Sequence, residues 1–112
     1  MERMESLNRI ELRGTVGSSL TSDINGSRMC RFSVATNYAH RGRDNEPIIE
    51  TTWHRVIAWE KDGRLVEPQK GDSVEVTGRL RANRYTGADG FEYTSYEVIA
   101  SEVKVLEGVN VW

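Results

Sequence analysis

The sequence predicts an all-β domain, a five-stranded Greek-key barrel with one short helix between the third and fourth strands. Three observations carry this. Apolar and polar residues alternate over runs of strand length, as they do where one sheet face is buried and the other is wet. Glycine-marked turns separate the runs, Asn25-Gly26 most clearly, because both residues of a two-residue hairpin turn take positive φ. The 112 residues suit one domain with a single core, and closing the sheet leaves few exposed edges.

In the first run, "NRIELRGTVGSSL", Ile10, Leu12 and Val16 face one way and Arg9, Glu11 and Arg13 the other. Gly14 and Gly17 interrupt it, as glycine does at bulges and bends of curved sheets. After the Asn-Gly turn, "MCRFSVAT" directs Cys30, Phe32 and Val34 inward. Residues 37 to 50, "NYAHRGRDNEPIIE", are polar with Gly and Pro and read as a long loop or flexible hairpin.

The third strand is "ETTWHRVIAWEK". It sets Thr51, Trp53, Arg55, Ile57 and Trp59 on one face, and Thr52, His54, Val56 and Ala58 on the other. Val56 and Ala58 suit a core, so the tryptophans share the opposite face with an arginine. "EKDGRLVEPQKGD" allows a short helix near Lys61 to Glu67, limited by Pro68 and Gly71. "SVEVTGRLRANRY" places Val74, Val76 and Leu80 inward, with Glu75, Thr77, Arg79, Arg81, Asn83 and Tyr85 outward. "TGADG" is a tight turn. The last strand shifts its apolar parity between Ala100 and Val103, the mark of a bulge. No repeat or low-complexity segment interrupts this order. The oligonucleotide/oligosaccharide-binding (OB) barrel has this layout.

The bulk composition narrows the function. No apolar stretch is long enough to cross a bilayer and no signal sequence opens the chain, which points to the cytosol and to no membrane partner. The lone Cys30 excludes an internal disulfide. Two histidines and one cysteine offer no spaced metal-ligand set. No nucleophile elbow, phosphate-cradling loop or dinucleotide fingerprint is present. A Cys30–His54 dyad sets its sulfur on the apolar parity, where free cysteines are usually inert. A binding protein without catalysis, metal or cofactor is therefore expected.

The net charge of −2 is awkward for nucleic acid, which calls for a basic footprint. The basic residues do segregate, and always beside aromatic rings. Trp53, Arg55 and Trp59 lie on one strand face, with Lys61 just beyond. Arg79, Arg81, Asn83 and Tyr85 lie on another, with Arg84 adjoining. Tyr38, His40, Arg41 and Arg43 sit in the long loop. Single-stranded DNA needs this pairing: cations track phosphates, and rings stack on unpaired bases at ~1–3 kcal/mol each, whatever the sequence. Taken singly, each ring is as readily a packing residue and each arginine a cross-strand ion-pair partner. The recurrence on three segments favours a nucleic-acid surface.

With those motifs in view, the chain resembles the DNA-binding domain of the bacterial single-stranded DNA-binding protein family. "NRIELRGTVG" is similar to its opening strand, "RFSVAT" to its second and "TTWHRVIAW" to its most characteristic motif. "KGDSVEVTGRLRANRYTGADG" resembles its fourth strand and hairpin, and "YEVIASEVKVL" its closing strand. The resemblance implies an OB domain over residues 1–106, followed at 107–112 by a short extension without the family's acidic tip. It implies sequence-nonspecific binding and protection of single-stranded DNA in replication, recombination and repair. Trp53, Trp59 and Tyr85 take stacking positions, a fourth falls at His40 or near Tyr38, and His54 matches a subunit-interface histidine. Homotetramers, a nucleoid-associated location and replication or repair proteins as partners are further implications. The alternatives are a dimeric, primosome-type adaptor on the same barrel and a pure protein- or oligosaccharide-binding barrel.

Overall fold

The computed structural model describes residues 5–106. It contains five long strands: β1 (Ile10–Ile24), β2 (Ser27–Arg41), β3 (Pro47–Trp59), β4 (Ser73–Thr86) and β5 (Glu92–Leu106). They close into a barrel in the order β1-β2-β3-β5-β4. Every neighbouring pair is antiparallel except β3 and β5, which run parallel and meet at two residue pairs, Val56–Val98 and Ile57–Ile99. No helix in the described residues is long and apolar enough to cross a membrane. The expected extension at 107–112 lies outside the described residues.

The core follows the alternation. Val16, Cys30, Phe32, Val34, Val56, Ala58, Val74, Val76 and Val98 form one buried cluster, with Ile10, Leu12, Leu65, Ala100 and Val103 packed against it. The β1–β2 turn has positive φ at both Asn25 and Gly26, as an Asn-Gly hairpin requires. Both expected bulges occur. In β1 the register with β2 steps from Val16–Val34 to Ser18–Ser33, leaving Gly17 as the extra residue. In β5 it steps from Thr77–Glu102 to Gly78–Ala100, leaving Ser101 extra.

Three sequence expectations need correction and one is narrowed. The described residues contain no helix, and at Lys61–Glu67 the chain turns back on itself. Lys61 and Arg64 exchange both backbone hydrogen bonds, at 2.8 and 2.9 Å, across Asp62 and Gly63 with φ of 53° and 75°. Those are left-handed values, opposite to a helix, and Asp-Gly is a preferred dipeptide for such a turn. Leu65 then packs against the core.

Of the two forms expected for residues 37 to 50, the structure takes the hairpin and not the long loop. These residues extend the β2–β3 ladder out to Arg41–Pro47, so Tyr38, His40 and Arg41 stand on a strand and Arg43 in the tip. Ile57 has the outward parity yet is only 3% exposed; it lies at the β3–β5 seam, flanked by Arg31 and Ile99. Leu80 has the inward parity, opposite Val98, yet is 42% exposed. It sits where the barrel begins to open, because β3 and β5 do not pair beyond Val56 and Val98 toward the hairpin tips.

That opening positions the site. The β2–β3 hairpin and the β4–β5 hairpin continue past the seam as two separate arms, with a cleft between them. Asn8 ties the N-terminal segment to the second arm. Its side-chain amide donates to Leu80 O at 2.8 Å, and its carbonyl accepts from Leu80 N at 2.9 Å.

Candidate nucleic-acid interface

Trp53 stands opposite Ala35 on β2, a small neighbour over which the indole reaches β1. There it rests on the bulge: a Cβ added to Gly17 would lie 2.4 Å from Trp53 Cζ3. The bare backbone of Gly17 is therefore the seat of the ring, and the indole remains 59% exposed. Ser18 and Ser33, hydroxyl to hydroxyl at 3.0 Å, brace the same spot. Gly17→Ala is expected to leave the barrel folded but displace the indole, visible as a shift in tryptophan emission.

Arg55 follows on the same face, opposite Ser33, exposed and without an ion-pair partner among the described residues. Trp53 and Arg55 line a cleft of about 290 Å³ with Ile10, Leu80, Tyr96 and Glu97. Trp59 lies six residues further along, roughly 20 Å for an extended strand. It is opposite Met29, half-exposed, and borders an open groove of about 640 Å³ lined also by Lys61, Arg64 and Leu65.

The second arm separates its candidates by face. Arg79, Arg81, Asn83 and Tyr85 pair with Ile99, Glu97, Ser95 and Tyr93, while Arg84 belongs to the opposite face with Leu80 and Ala82. Arg81 Nη2 bonds Glu97 Oε1 at 2.5 Å, and Glu97 is buried. Tyr85 stacks on Tyr93 at 5.7 Å between ring centroids. The Tyr93 hydroxyl donates to the Asp89 carboxylate in the tip. That bond holds Asp89 below its ordinary 3.8 and raises Tyr93 above its ordinary 10.0.

The signs define a window. Asp89's contribution is present above its unfolded value and lost as pH falls through its depressed one. Tyr93's is present below its unfolded value and lost as pH rises through its raised one. In an absorbance titration, Asp89→Asn should lower the pH at which Tyr93 ionises.

On the first arm, Tyr38 stacks on His40 at 5.6 Å. His40 Nε2 is 2.7 Å from Glu50 Oε2. Arg41 donates to the carbonyl of Asn45 at 2.7 Å within the tip. His54 has inward parity and lies partly buried, its Nε2 2.8 Å from Thr36 Oγ1.

The geometry thus sorts the candidates. Trp53 and Arg55 come together in the cleft, and Trp59 and Lys61 at the far end of β3. Arg43, Arg55, Lys61, Arg79 and Arg84 are exposed cations without ion pairs among the described residues. Arg81, Arg41 and His40 already have partners within their own arms. Sequence reasoning missed Arg31, an exposed and likewise unpaired cation opposite Ile57, although the inward Cys30 and Phe32 on either side imply its outward parity. It also missed the exposed rings of Phe91, Tyr93 and Tyr96.

Known proteins share this architecture. The chain is 34% identical over 109 residues to the single-stranded DNA-binding protein of Neisseria meningitidis serogroup A, covering 94% of this chain and 63% of that protein. It is 34% identical over 106 residues to the single-stranded DNA-binding protein of Xanthomonas axonopodis pv. citri, covering 91% and 59%. It therefore spans about 60% of the length of these curated relatives. Among solved structures, the Plasmodium falciparum SSB complex with ssDNA superposes with a TM-score of 0.79 at 30% identity, covering 95% of this chain and all of that one. The single-stranded DNA-binding protein of Thermus aquaticus, as a deletion mutant, gives 0.74 at 25% identity, covering 92% and 52%. The model of the single-strand binding protein family matches residues 7–106, which is the whole barrel with its two arms, and the chain belongs to that family.

Proposed function

We propose that this chain binds single-stranded DNA without sequence preference, by stacking bases on Trp53, Trp59 and Tyr85 and by phosphate contacts from Arg55 and the other unpaired cations. The observation that carries the reading is the cleft between the arms, where an indole seated on Gly17 stands beside an exposed Arg55 that no carboxylate among the described residues neutralises. Unpaired bases offer a face to such a ring and duplex DNA does not. Lys61, Arg79, Arg84, Arg43 and Tyr38 extend the surface. Arg41 and His40 contribute to it mainly by holding the first arm's tip. The Plasmodium relative, solved with ssDNA, supports the same use of the barrel.

The function is binding and not catalysis. Cys30 is fully buried with Ser19 Oγ 3.4 Å from its sulfur, so its thiol is not presented to a substrate, and His54 is engaged by Thr36. Copies of the chain associate as homotetramers, with His54 near the subunit contact, and together coat single strands in replication, recombination and repair. Mass measurement in solution tests the assembly: a dimer instead would favour the adaptor alternative.

The function itself is tested by tryptophan fluorescence during titration with oligo(dT) and with duplex DNA. Quenching by the single strand only, weakening as salt rises, is expected. No binding of oligo(dT) at low salt would overturn the reading.

A further inference from the structure

We infer that Tyr96 is a stacking platform for a base, at a point where the bound strand passes from the cleft between the arms to the N-terminal segment. The inference rests on the single-strand reading above and extends it to a position outside the expected set. Tyr96 borders two grooves at once. One is the cleft with Trp53 and Arg55. The other, of about 490 Å³, is lined by Leu7, Asn8, Arg9, Ile10, Leu80 and Ala82.

Its ring is 60% exposed, and it stands opposite Ala82, a side chain too small to cover it. Among the described residues the stacked aromatic pairs are Tyr38–His40 and Tyr85–Tyr93, so neither face of Tyr96 is covered by a stacked ring, whereas Tyr85 and Tyr38 each offer only one open face. The groove is also formed in advance. Asn8 grips both backbone groups of Leu80, fixing one wall and with it the place of Arg9.

The charges suit a polyanion on both sides of the ring. Among the described residues Arg55 has no ion pair, and the acidic residue of the cleft wall, Glu97, is neutralised by Arg81. Arg9 is 3.4 Å from Glu11, with both side chains largely exposed; such a pair holds its cation weakly and yields it readily to a phosphate. A ring between two cations, open to solvent and bordered by grooves, matches what an unpaired base and its flanking phosphates require. Phosphate-only binding would leave the ring unused.

The test is photocrosslinking of the full chain to iodouracil-substituted oligo(dT), with the adducts located by mass spectrometry, alongside affinities of Tyr96→Ala and Tyr96→Phe. Expected are an adduct at Tyr96, an affinity loss on the order of ten-fold for Tyr96→Ala, near wild-type affinity for Tyr96→Phe, and melting temperatures unchanged in both. Wild-type binding with no adduct at Tyr96 and no loss in Tyr96→Ala would overturn the inference while leaving the single-strand function intact. Failure of the wild type to bind oligo(dT) would overturn both.

Discussion

Trp53→Ala is expected to lower the affinity for oligo(dT) by about ten-fold or more, with little change in thermal stability. Both parts follow from where the ring sits. One stacked base contributes ~1–3 kcal/mol, and 1.4 kcal/mol is a factor of ten in the binding constant. The indole is mostly exposed and rests on the surface at Gly17, outside the buried cluster of the barrel, so its removal opens no cavity. Trp53→Phe retains part of the affinity, because a smaller ring still offers a face. Trp59→Ala has the smaller effect, since that ring is less exposed. In fluorescence titrations, Trp53→Ala also removes the larger share of the quenching. An unchanged affinity in Trp53→Ala would show that bases do not enter the cleft.

Arg81→Ala is expected to weaken binding about as strongly, for a different reason, and Glu97→Gln to restore it. Glu97 is buried in the cleft wall, and Arg81 is its ion-pair partner. Truncating one partner of such a pair leaves the other charge uncompensated, here a carboxylate facing the path of a polyanion. Arg81 is itself half-exposed, so the stability cost is modest, about 1–2 kcal/mol. The binding cost is larger, because the uncompensated carboxylate repels phosphate. In the double variant Arg81→Ala/Glu97→Gln the carboxylate is gone and affinity returns toward wild type. Were Arg81 a direct phosphate contact, the double variant would stay weak. Arg55→Ala is the comparison: it lowers the salt slope by about one, and Glu97→Gln leaves that slope change in place.

The core was legible because alternation is a local signal. Val16, Cys30, Phe32, Val34, Val56, Val74 and Val76 each sit between outward residues, and a barrel buries one face of every strand. The bulges were legible for a similar reason: Gly17 and the parity shift around Ser101 interrupt that alternation. The helix expected at Lys61–Glu67 failed where two local signals competed. The segment before Pro68 and Gly71 was long enough for a helical turn, while Asp62-Gly63 favoured a left-handed turn, and the latter prevailed. Leu80 and Ile57 misled because parity tells which way a side chain points, not whether anything covers it.

The site was legible by composition and not by pairing. Trp53, Arg55 and Trp59 share a face by period two alone. The Arg81–Glu97 pair depends on the cross-strand register of β4 with β5, sixteen residues apart in sequence. The seat of Trp53 on Gly17 requires three strands to be in register at once. Tyr96 passed unnoticed because the two grooves it borders also draw their walls from β1, β3, β4 and the N-terminal segment, all distant from it in the chain.

The β3–β5 seam, with its two residue pairs, also determines where the barrel breathes. The antiparallel ladders of the two hairpins are long and local, so each can persist while the parallel closure between them opens and reseals, a sub-global fluctuation of the kind that hydrogen exchange detects. Such an opening would widen the cleft and let a continuous strand be laid in from the side, with no free end to thread. A strand resting against both arms would in turn bridge the seam, so that occupancy and closure reinforce each other by mass action. Amide protection at Val56, Ile57, Val98 and Ile99 would then report on binding, although none of these four side chains belongs to the stacking surface.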